Sequence, residues 1–346
     1  RSRTAPPSLH RPQRTDIAAP ENLHPGLYVP PPIPEGLPSA PIPAEPQIPD
    51  AEEPEVPFTP LWQIENLTVD FSDDFNNFDQ NNRLIEPTVS GVLSNGDRLG
   101  LTTGLNTFTQ PEEDAVLNWP LQLIWSREMG DFTTTVGGGI DVFDQLPLAL
   151  NLEANTTVPL GQQATLSFFV EQGPYKFNAM ALNQQVASWR YGPNLYWQLA
   201  PDTSFFSLVR WGRYNDGNRE QQSFSRLEHQ IGEVAIAANL FNWRYREDLE
   251  ETSGYFSPPD FLVLNGELAW EGSVSDWLDC RIAASWGQQR LIGDWTPAFG
   301  YGTQCTFQVT DSTEIDLGYS FDNVIGQTGG SAYNNRSISG QLRMNF

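Results

Sequence analysis

Three constellations in this 346-residue chain carry residue types that support catalysis elsewhere. His229 follows Glu228 and Arg226, and a histidine beside a carboxylate is the usual base for a nucleophilic serine. No nucleophile motif accompanies it, and His229 abuts a turn signal at 230–233, so a solvated turn residue is expected. His10 and His24 lie among prolines. Asp248, Glu250, Glu251 and Asp260 offer paired carboxylates for glycoside hydrolysis. With 43 Asp and Glu in the chain, such clusters arise by chance, and an acidic solvated loop is the expectation. Gly137-Gly138-Gly139 sits inside an extended stretch with no helix after it, so it is no phosphate loop. Glycines there let a strand bend or a neighbour approach closely. No catalytic residue, cofactor or metal is expected.

The elements that must position these residues have a period of two from Leu61 onward. Leu117, Trp119, Leu121, Leu123 and Trp125 alternate with mostly polar residues. The same spacing recurs in Leu146, Leu148, Leu150 and Leu152, in Cys280, Ile282, Ala284 and Trp286, and in Ile315, Leu317, Tyr319 and Phe321. Period two is the signature of strands with unlike faces. In the final segment Ile338, Leu342, Met344 and Phe346 share one face, while Ser339, Gln341, Arg343 and Asn345 share the other. Cys280 and Cys305 fall on consecutive strands; that placement is compatible with a cross-strand disulfide or with two separate thiols.

The connections alternate in length. Tight ones fall at 95–96, 127–131, 159–162, 201–204, 230–233, 272–276 and 310–313. Longer polar ones are expected at 72–87, 109–115, 172–185, 215–222, 247–260, 288–297 and 323–336, with a short exception at 143–147. About sixteen strands result, an even number that returns both ends to one side, as an up-and-down transmembrane β-barrel requires. No apolar run of about eighteen residues appears, so no helix spans a bilayer; a barrel needs only alternate apolar residues. The tryptophans fall near strand ends, where an interfacial girdle is expected: Trp62, Trp125, Trp197, Trp270 and Trp277 on the short-turn side, and Trp119, Trp189, Trp211, Trp243, Trp286 and Trp295 on the other.

An all-β antiparallel barrel at residues 61–346, in the bacterial outer membrane, is therefore expected. Its partners would be outer-membrane lipid and lipopolysaccharide, with the barrel-assembly machinery reading Phe346 as an insertion signal. The acidic loops also offer oxygens for a divalent cation bridging lipopolysaccharide phosphates. Residues 1–60 hold 17 of the 28 prolines, which keeps that stretch extended as a periplasmic linker. The chain starts at Arg1 without an apolar signal region, as a processed form or fragment would. A formal charge of −24, with Lys176 the sole lysine, argues against nucleic acid as a partner.

The face opposite the apolar one gives the expected lumen lining: Asn151, Glu153, Arg190, Asn194, Tyr196, Gln198, Arg210, Asn265, Glu267, Asp279, Arg281, Asp316 and Ser320. Mixed charges with amides and tyrosine suit weak, repeated contact with a hydroxyl-rich polymer, and equally an ordinary water-filled pore.

The segment Gly254-Tyr255-Phe256-Ser257-Pro258-Pro259-Asp260-Phe261, the two strands after it, and the closing Gly318-Tyr319-Ser320-Phe321 and Gly329 to Asn335 stretches resemble the C-terminal barrel of the family of outer-membrane cellulose-synthase components. That resemblance covers roughly the last hundred residues. It implies a sixteen-strand exopolysaccharide-export porin coupled to a periplasmic repeat protein and a synthase complex. The chain departs from the family in its first sixty residues, which are proline-rich rather than repetitive. The expected function is a channel for a nascent cellulose-like or other neutral or cationic polysaccharide, with Asp248, Glu250, Glu251, Tyr255 and Phe256 in an outer-loop gate. The alternatives are a general diffusion porin, a structural outer-membrane protein, and a soluble glycan-binding sandwich.

Overall fold

The computed structural model describes residues 61–325 and 332–346. The proline-rich segment and part of the glycine-rich connection lie outside the described residues. The first strands are β1 (Trp62–Asn76), β2 (Asn81–Leu93), β3 (Arg98–Thr103), β4 (Leu105–Thr109), β5 (Val116–Met129) and β6 (Phe132–Phe143). Next come β7 (Ala149–Leu160), β8 (Ala164–Pro174), β9 (Ala187–Ala200), β10 (Thr203–Tyr214), β11 (Arg219–Ile231) and β12 (Val234–Tyr245). The last are β13 (Phe261–Ser275), β14 (Leu278–Leu291), β15 (Asp294–Thr310), β16 (Thr313–Ile325) and β17 (Ala332–Asn345). Two short helices sit in connections: α1 (Ala179–Asn183) between β8 and β9, and α2 (Glu250–Ser253) between β12 and β13.

Apart from β3 and β4, strands consecutive in sequence pair antiparallel, and β17 pairs with β1 from Asn66↔Asn345 to Asn76↔Asn335, closing the sheet on itself. Both β3 and β4 pair with β2 and β5, so they are one barrel strand broken at Gly104. A side chain at Gly104 would meet the Ile85 carbonyl oxygen at 2.5 Å, which is why the break falls on glycine. Counted this way the barrel has sixteen strands.

The distribution of polarity is inverted relative to a soluble protein. Leu150 is 62% exposed, Leu268 58% and Trp286 70%, whereas Asn106, Asn118 and Asp141 are fully buried. Outward apolar side chains on every strand form a continuous band, far larger than the patches soluble monomers tolerate, and lipid is the solvent that accommodates it. This excludes the glycan-binding sandwich. In Gly137-Gly138-Gly139 the inward members leave room for neighbours: a side chain at Gly137 would overlap Glu153, and one at Gly139 would overlap the Leu121 carbonyl and Asn151.

Three connections expected to be long are tight. The residues between β1 and β2 are only 77–80, between β10 and β11 only 215–218, and between β14 and β15 only 292–293. Their flanking strands run on beyond the membrane; β15 has 17 residues, against the 9–11 that cross a bilayer. Once outside hydrocarbon, the outward positions no longer need to be apolar, so these strand ends look like loops in sequence. The 143–147 exception is a connection of residues 144–148. By the usual rule the short-turn end, which also holds Leu61 and Phe346, faces the periplasm, and the end with the long connections faces outward.

Of the tryptophans assigned to the girdle, Trp243 departs. Alternation along β12 places Ile236, Leu240 and Arg244 outward, and Trp243 is turned inward and buried. Trp189, Trp197, Trp277 and Trp295 are exposed on the outer wall.

Candidate functional site: a lumen bridged at its mouth by two inward-folded connections

Strand alternation and register place all thirteen expected lumen residues on the inward face. Several form an ionic ladder on the wall from β11 to β14. The Arg226 guanidinium donates to both carboxylate oxygens of Glu267, at 3.0 and 2.9 Å, and to Asn239 at 3.1 Å. Arg281 donates to the same Glu267 at 2.7 Å, and Asn239 donates to Asn265 at 2.9 Å. Glu228 also pairs with Arg226. Lower down, Asp279 accepts from Ser273 at 2.5 Å. Between β16 and β17, Arg343 holds Asp316 at 2.6 Å and Glu314 at 3.2 Å.

On the wall from β6 to β10, Arg190 pairs with Glu171 at 2.7 Å, and Asn151 donates to Asp141 at 2.9 Å. The Arg210 guanidinium lies over the Phe169 ring at 5.2 Å. Tyr196 donates to Gln198. Glu153 stands opposite Glu171 on β8. Asn194 lies opposite Ser167, and Ser320 is half-buried opposite Gly302. These residues are thus spread around the circumference; Asn265, Glu267 and Arg281 belong to one connected group, and Tyr196 and Gln198 form a separate pair.

The same alternation dismantles the hydrolase reading of Arg226, Glu228 and His229. Arg226 and Glu228 face the lumen, whereas His229, one residue on, is on the outer wall, where Nδ1 meets the Thr203 hydroxyl at 2.9 Å. Neighbouring residues of a strand point to opposite faces, so a histidine and carboxylate adjacent in a strand do not act as a dyad.

The most organised part of the lumen is its outer mouth. Residues 175–186 leave β8, fold inward and carry α1, whose Asn178 side chain caps the helix by accepting from the Ala181 N–H at 2.8 Å. Residues 246–260 leave β12, fold inward and carry α2, which ends on Gly254 at φ +79°. The two segments meet: the Asn178 amide donates to the Gly254 carbonyl at 2.6 Å. A side chain at Gly254 would lie 2.5 Å from Met180, so close approach and left-handed backbone both require glycine there.

Around this junction an aromatic core forms. The Tyr255 ring stacks on Tyr214 at 5.1 Å and meets Tyr175 edge-on at 5.3 Å and Tyr245 at 5.5 Å. Phe256 packs edge-on against Trp243 and Phe261, each at 5.6 Å. The polar ends of these rings are satisfied inside. Tyr255 donates to Asp216 at 2.9 Å and accepts from Asn218 at 3.1 Å. Tyr214 and Trp243 donate to the two oxygens of Glu220 at 2.9 and 2.6 Å. Arg190 lies over Tyr175 at 5.3 Å.

The first segment then reaches the far wall. Ala179 and Leu182 pack with Phe108, Val116 and Phe143 in a second buried cluster. Asn82 donates to the Phe177 carbonyl at 2.8 Å, and Lys176 pairs with the buried Asp141 at 2.8 Å. The mouth is therefore bridged from β12 and β13 on one side to β2, β5 and β6 on the other.

The five expected gate residues divide in two. Tyr255 is fully buried and Phe256 packs against the core. Asp248 and Glu251 face water, and Glu250 is half-buried beside them. Burial, and then repulsion from Asp248 and Glu251, pushes the Glu250 carboxyl up to about 7. Sequence reasoning missed Tyr175, Asn178, Tyr214, Glu220 and Tyr245. Their one local signal is that each aromatic falls on the inward, otherwise polar, phase of its strand end.

Cys280 and Cys305 are directly opposed in register and joined by a disulfide. They share the outward face with Ile282 and Phe307, so the bond clips β14 to β15 on the membrane side. Phe346 donates its N–H to the Glu65 carbonyl at 2.8 Å, with its ring exposed.

The chain matches no protein-family model and no curated protein sequence. Among solved structures it is similar to a "Bacterial polysaccharide outer membrane secretin", with TM-score 0.69 and 11% identity, covering 82% of this chain and 98% of that one. CdiB from Acinetobacter baumannii is similar at TM-score 0.50 and 10% identity, over 81% of this chain and 60% of CdiB, so this chain spans less than two thirds of that protein. OccK5 (OpdH) of Pseudomonas aeruginosa gives TM-score 0.46 and 10% identity, over 82% and 98%. At 11% identity the likeness to the first of these concerns the fold, and together with the closed lipid-facing sheet it makes this chain a β-barrel of the bacterial outer membrane.

Proposed function

We propose that this barrel is a gated channel that exports a nascent polysaccharide. The observation that carries the reading is the bridged mouth: two connections, 175–186 and 246–260, are held across the lumen by side-chain packing and a few hydrogen bonds rather than by strand pairing. Such contacts can be broken and remade without disturbing the wall. Below them the lining presents carboxylates (Asp70, Glu86, Glu153, Asp279) among ion-paired arginines, amides and hydroxyls. That chemistry repels anionic chains and forms weak, repeated contacts with neutral or cationic sugars.

Further support comes from the secretin-like barrel geometry and from the Tyr255 to Phe261 element. The latter underlies the resemblance to the outer-membrane cellulose-synthase components and is the inward-folded piece of the mouth. The polymer would be driven by synthesis on the inner side, with a periplasmic repeat protein or synthase complex as partner. The residues of the mouth and the inward face act as gate and lining, with no bond-breaking role assigned to any of them.

The test is reconstitution in planar bilayers. The channel is expected to be mostly closed, with openings that cationic glucosamine oligomers block and uronic-acid oligomers do not. A large, permanently open conductance indifferent to both oligomers overturns the export reading and favours a general diffusion porin.

A further inference from the structure

The outer wall near the mouth carries arginines that the channel does not use. Arg213 on β10 and Arg219 on β11 are directly opposite each other in register. Both face outward, because their neighbours Gly212 and Glu220 face the lumen and Arg213 is opposite the exposed Trp189 on β9. Arg244 on β12 lies opposite Gln221, one outward position below Arg219. All three side chains are exposed. Arg246 continues the row, its N–H donating to the Arg219 carbonyl at 2.9 Å, and pairs loosely with Glu247 at 3.5 Å.

Like charges placed directly opposite on a sheet are destabilising, and in a chain of net charge −24 carboxylates are plentiful. The other outward arginines at this end are compensated. Arg83 pairs with Asp73 at 2.8 Å, Arg290 with Asp260 at 2.7 Å, and Arg336 lies over the Phe75 ring at 5.9 Å. Among the described residues, no carboxylate or ring lies against the guanidinium of Arg213, Arg219 or Arg244. Beside them Trp189 and Trp211 are exposed, and Trp211 packs against Tyr191 at 6.0 Å. Exposed tryptophans at a strand end mark the level of the lipid headgroups.

From this juxtaposition we propose that Arg213, Arg219 and Arg244 form a binding site for the phosphate groups of a lipid A-type glycolipid in the outer leaflet, with Trp189 and Trp211 against its sugar and upper acyl region. Guanidinium groups bind phosphate by paired, charge-assisted hydrogen bonds. A phosphate held between Arg213 and Arg219 converts their repulsion into a shared attraction. The lipid supplies the anions that the protein withholds from this patch.

The test uses the full chain in detergent micelles, with native mass spectrometry counting bound purified bisphosphorylated lipid A. The triple variant Arg213→Gln/Arg219→Gln/Arg244→Gln is expected to lose binding at least tenfold. Arg127→Gln, at the short-turn end, binds as the parent does, and lipid A stripped of its phosphates binds the parent at least tenfold more weakly. Heat-modifiable migration on gels verifies that each variant is folded, and single Arg219→Gln serves if the triple variant is not. Equal binding by the glutamine variants, or by the dephosphorylated lipid, overturns the assignment. Lipid binding is read separately from conductance, so its failure leaves the export reading untouched, and the reverse.

Discussion

Replacing Tyr255 by alanine removes the centre of the mouth. The ring is fully buried and touches Tyr214, Tyr175 and Tyr245 at 5.1 to 5.5 Å, and its hydroxyl joins Asp216 and Asn218. Truncating a buried aromatic to alanine costs about 3–5 kcal/mol. Because Tyr255 lies on a connection rather than a strand, that loss falls on the docked state of residues 246–260 and leaves the wall intact. At ~1.4 kcal/mol per tenfold, a loss of about 3 kcal/mol raises the ratio of open to closed mouths by roughly a hundredfold. A mouth closed about 99% of the time would then be open about half of it. Tyr255→Phe keeps the ring contacts and gives up only the hydroxyl bonds, about 1 kcal/mol or roughly a fivefold change. Single-channel recording in planar bilayers measures this directly. Open probability should rise from parent to Tyr255→Phe to Tyr255→Ala, while Glu128→Gln, an exposed change at the short-turn end, leaves it unchanged. An alanine variant as closed as the parent would refute the claim that aromatic packing holds the mouth.

Glu250 makes the docking pH-dependent. Its carboxyl is raised from 4.5 to about 7 in the docked connection, so docking favours the protonated form. Docked-state stability is fully present below pH 4.5 and is lost as pH rises to about 7, remaining flat beyond that. Open probability should increase over that window, and Glu250→Gln should abolish the dependence; a parent channel with no pH response would contradict it. Glu267→Ala takes from Arg226 and Arg281 the carboxylate they share and leaves them Glu228 and Glu271. A destabilisation of about 1–3 kcal/mol is expected, together with a shift toward anion selectivity in reversal-potential measurements. The Cys280→Ser/Cys305→Ser variant loses a clip between residues separated by 25 positions, worth about 3 kcal/mol by chain entropy. Its urea midpoint should fall while its conductance stays the same, and an unchanged midpoint would show that strand pairing alone holds β14 to β15.

The wall of this protein is written in its sequence because lipid imposes a local rule. Every second residue that touches hydrocarbon must be apolar, so Leu148, Leu150 and Leu152 announce a strand without reference to anything distant. Sixteen strands, the common side of both barrel ends, and the inward face that carries Glu267 and Arg281 all follow from that rule. It lapses where strands leave the membrane, so the ends of β1, β10 and β14 read as loops although they are paired.

The mouth obeys no such rule. Asn178 meets Gly254 across 76 residues of chain, and Tyr175, Tyr214, Tyr245 and Tyr255 converge from four separate stretches. Each is one aromatic among polar residues, with no period to betray its partners. Only closure of the sheet brings those strand ends within reach of one another. Pairing between β10 and β11 likewise set Arg213 opposite Arg219. The membrane-facing pattern is a property of each strand alone, whereas the gate and the arginine patch are properties of the register between strands. Turns fix the register within each hairpin, and which strand ends meet at the mouth is decided when the sheet closes.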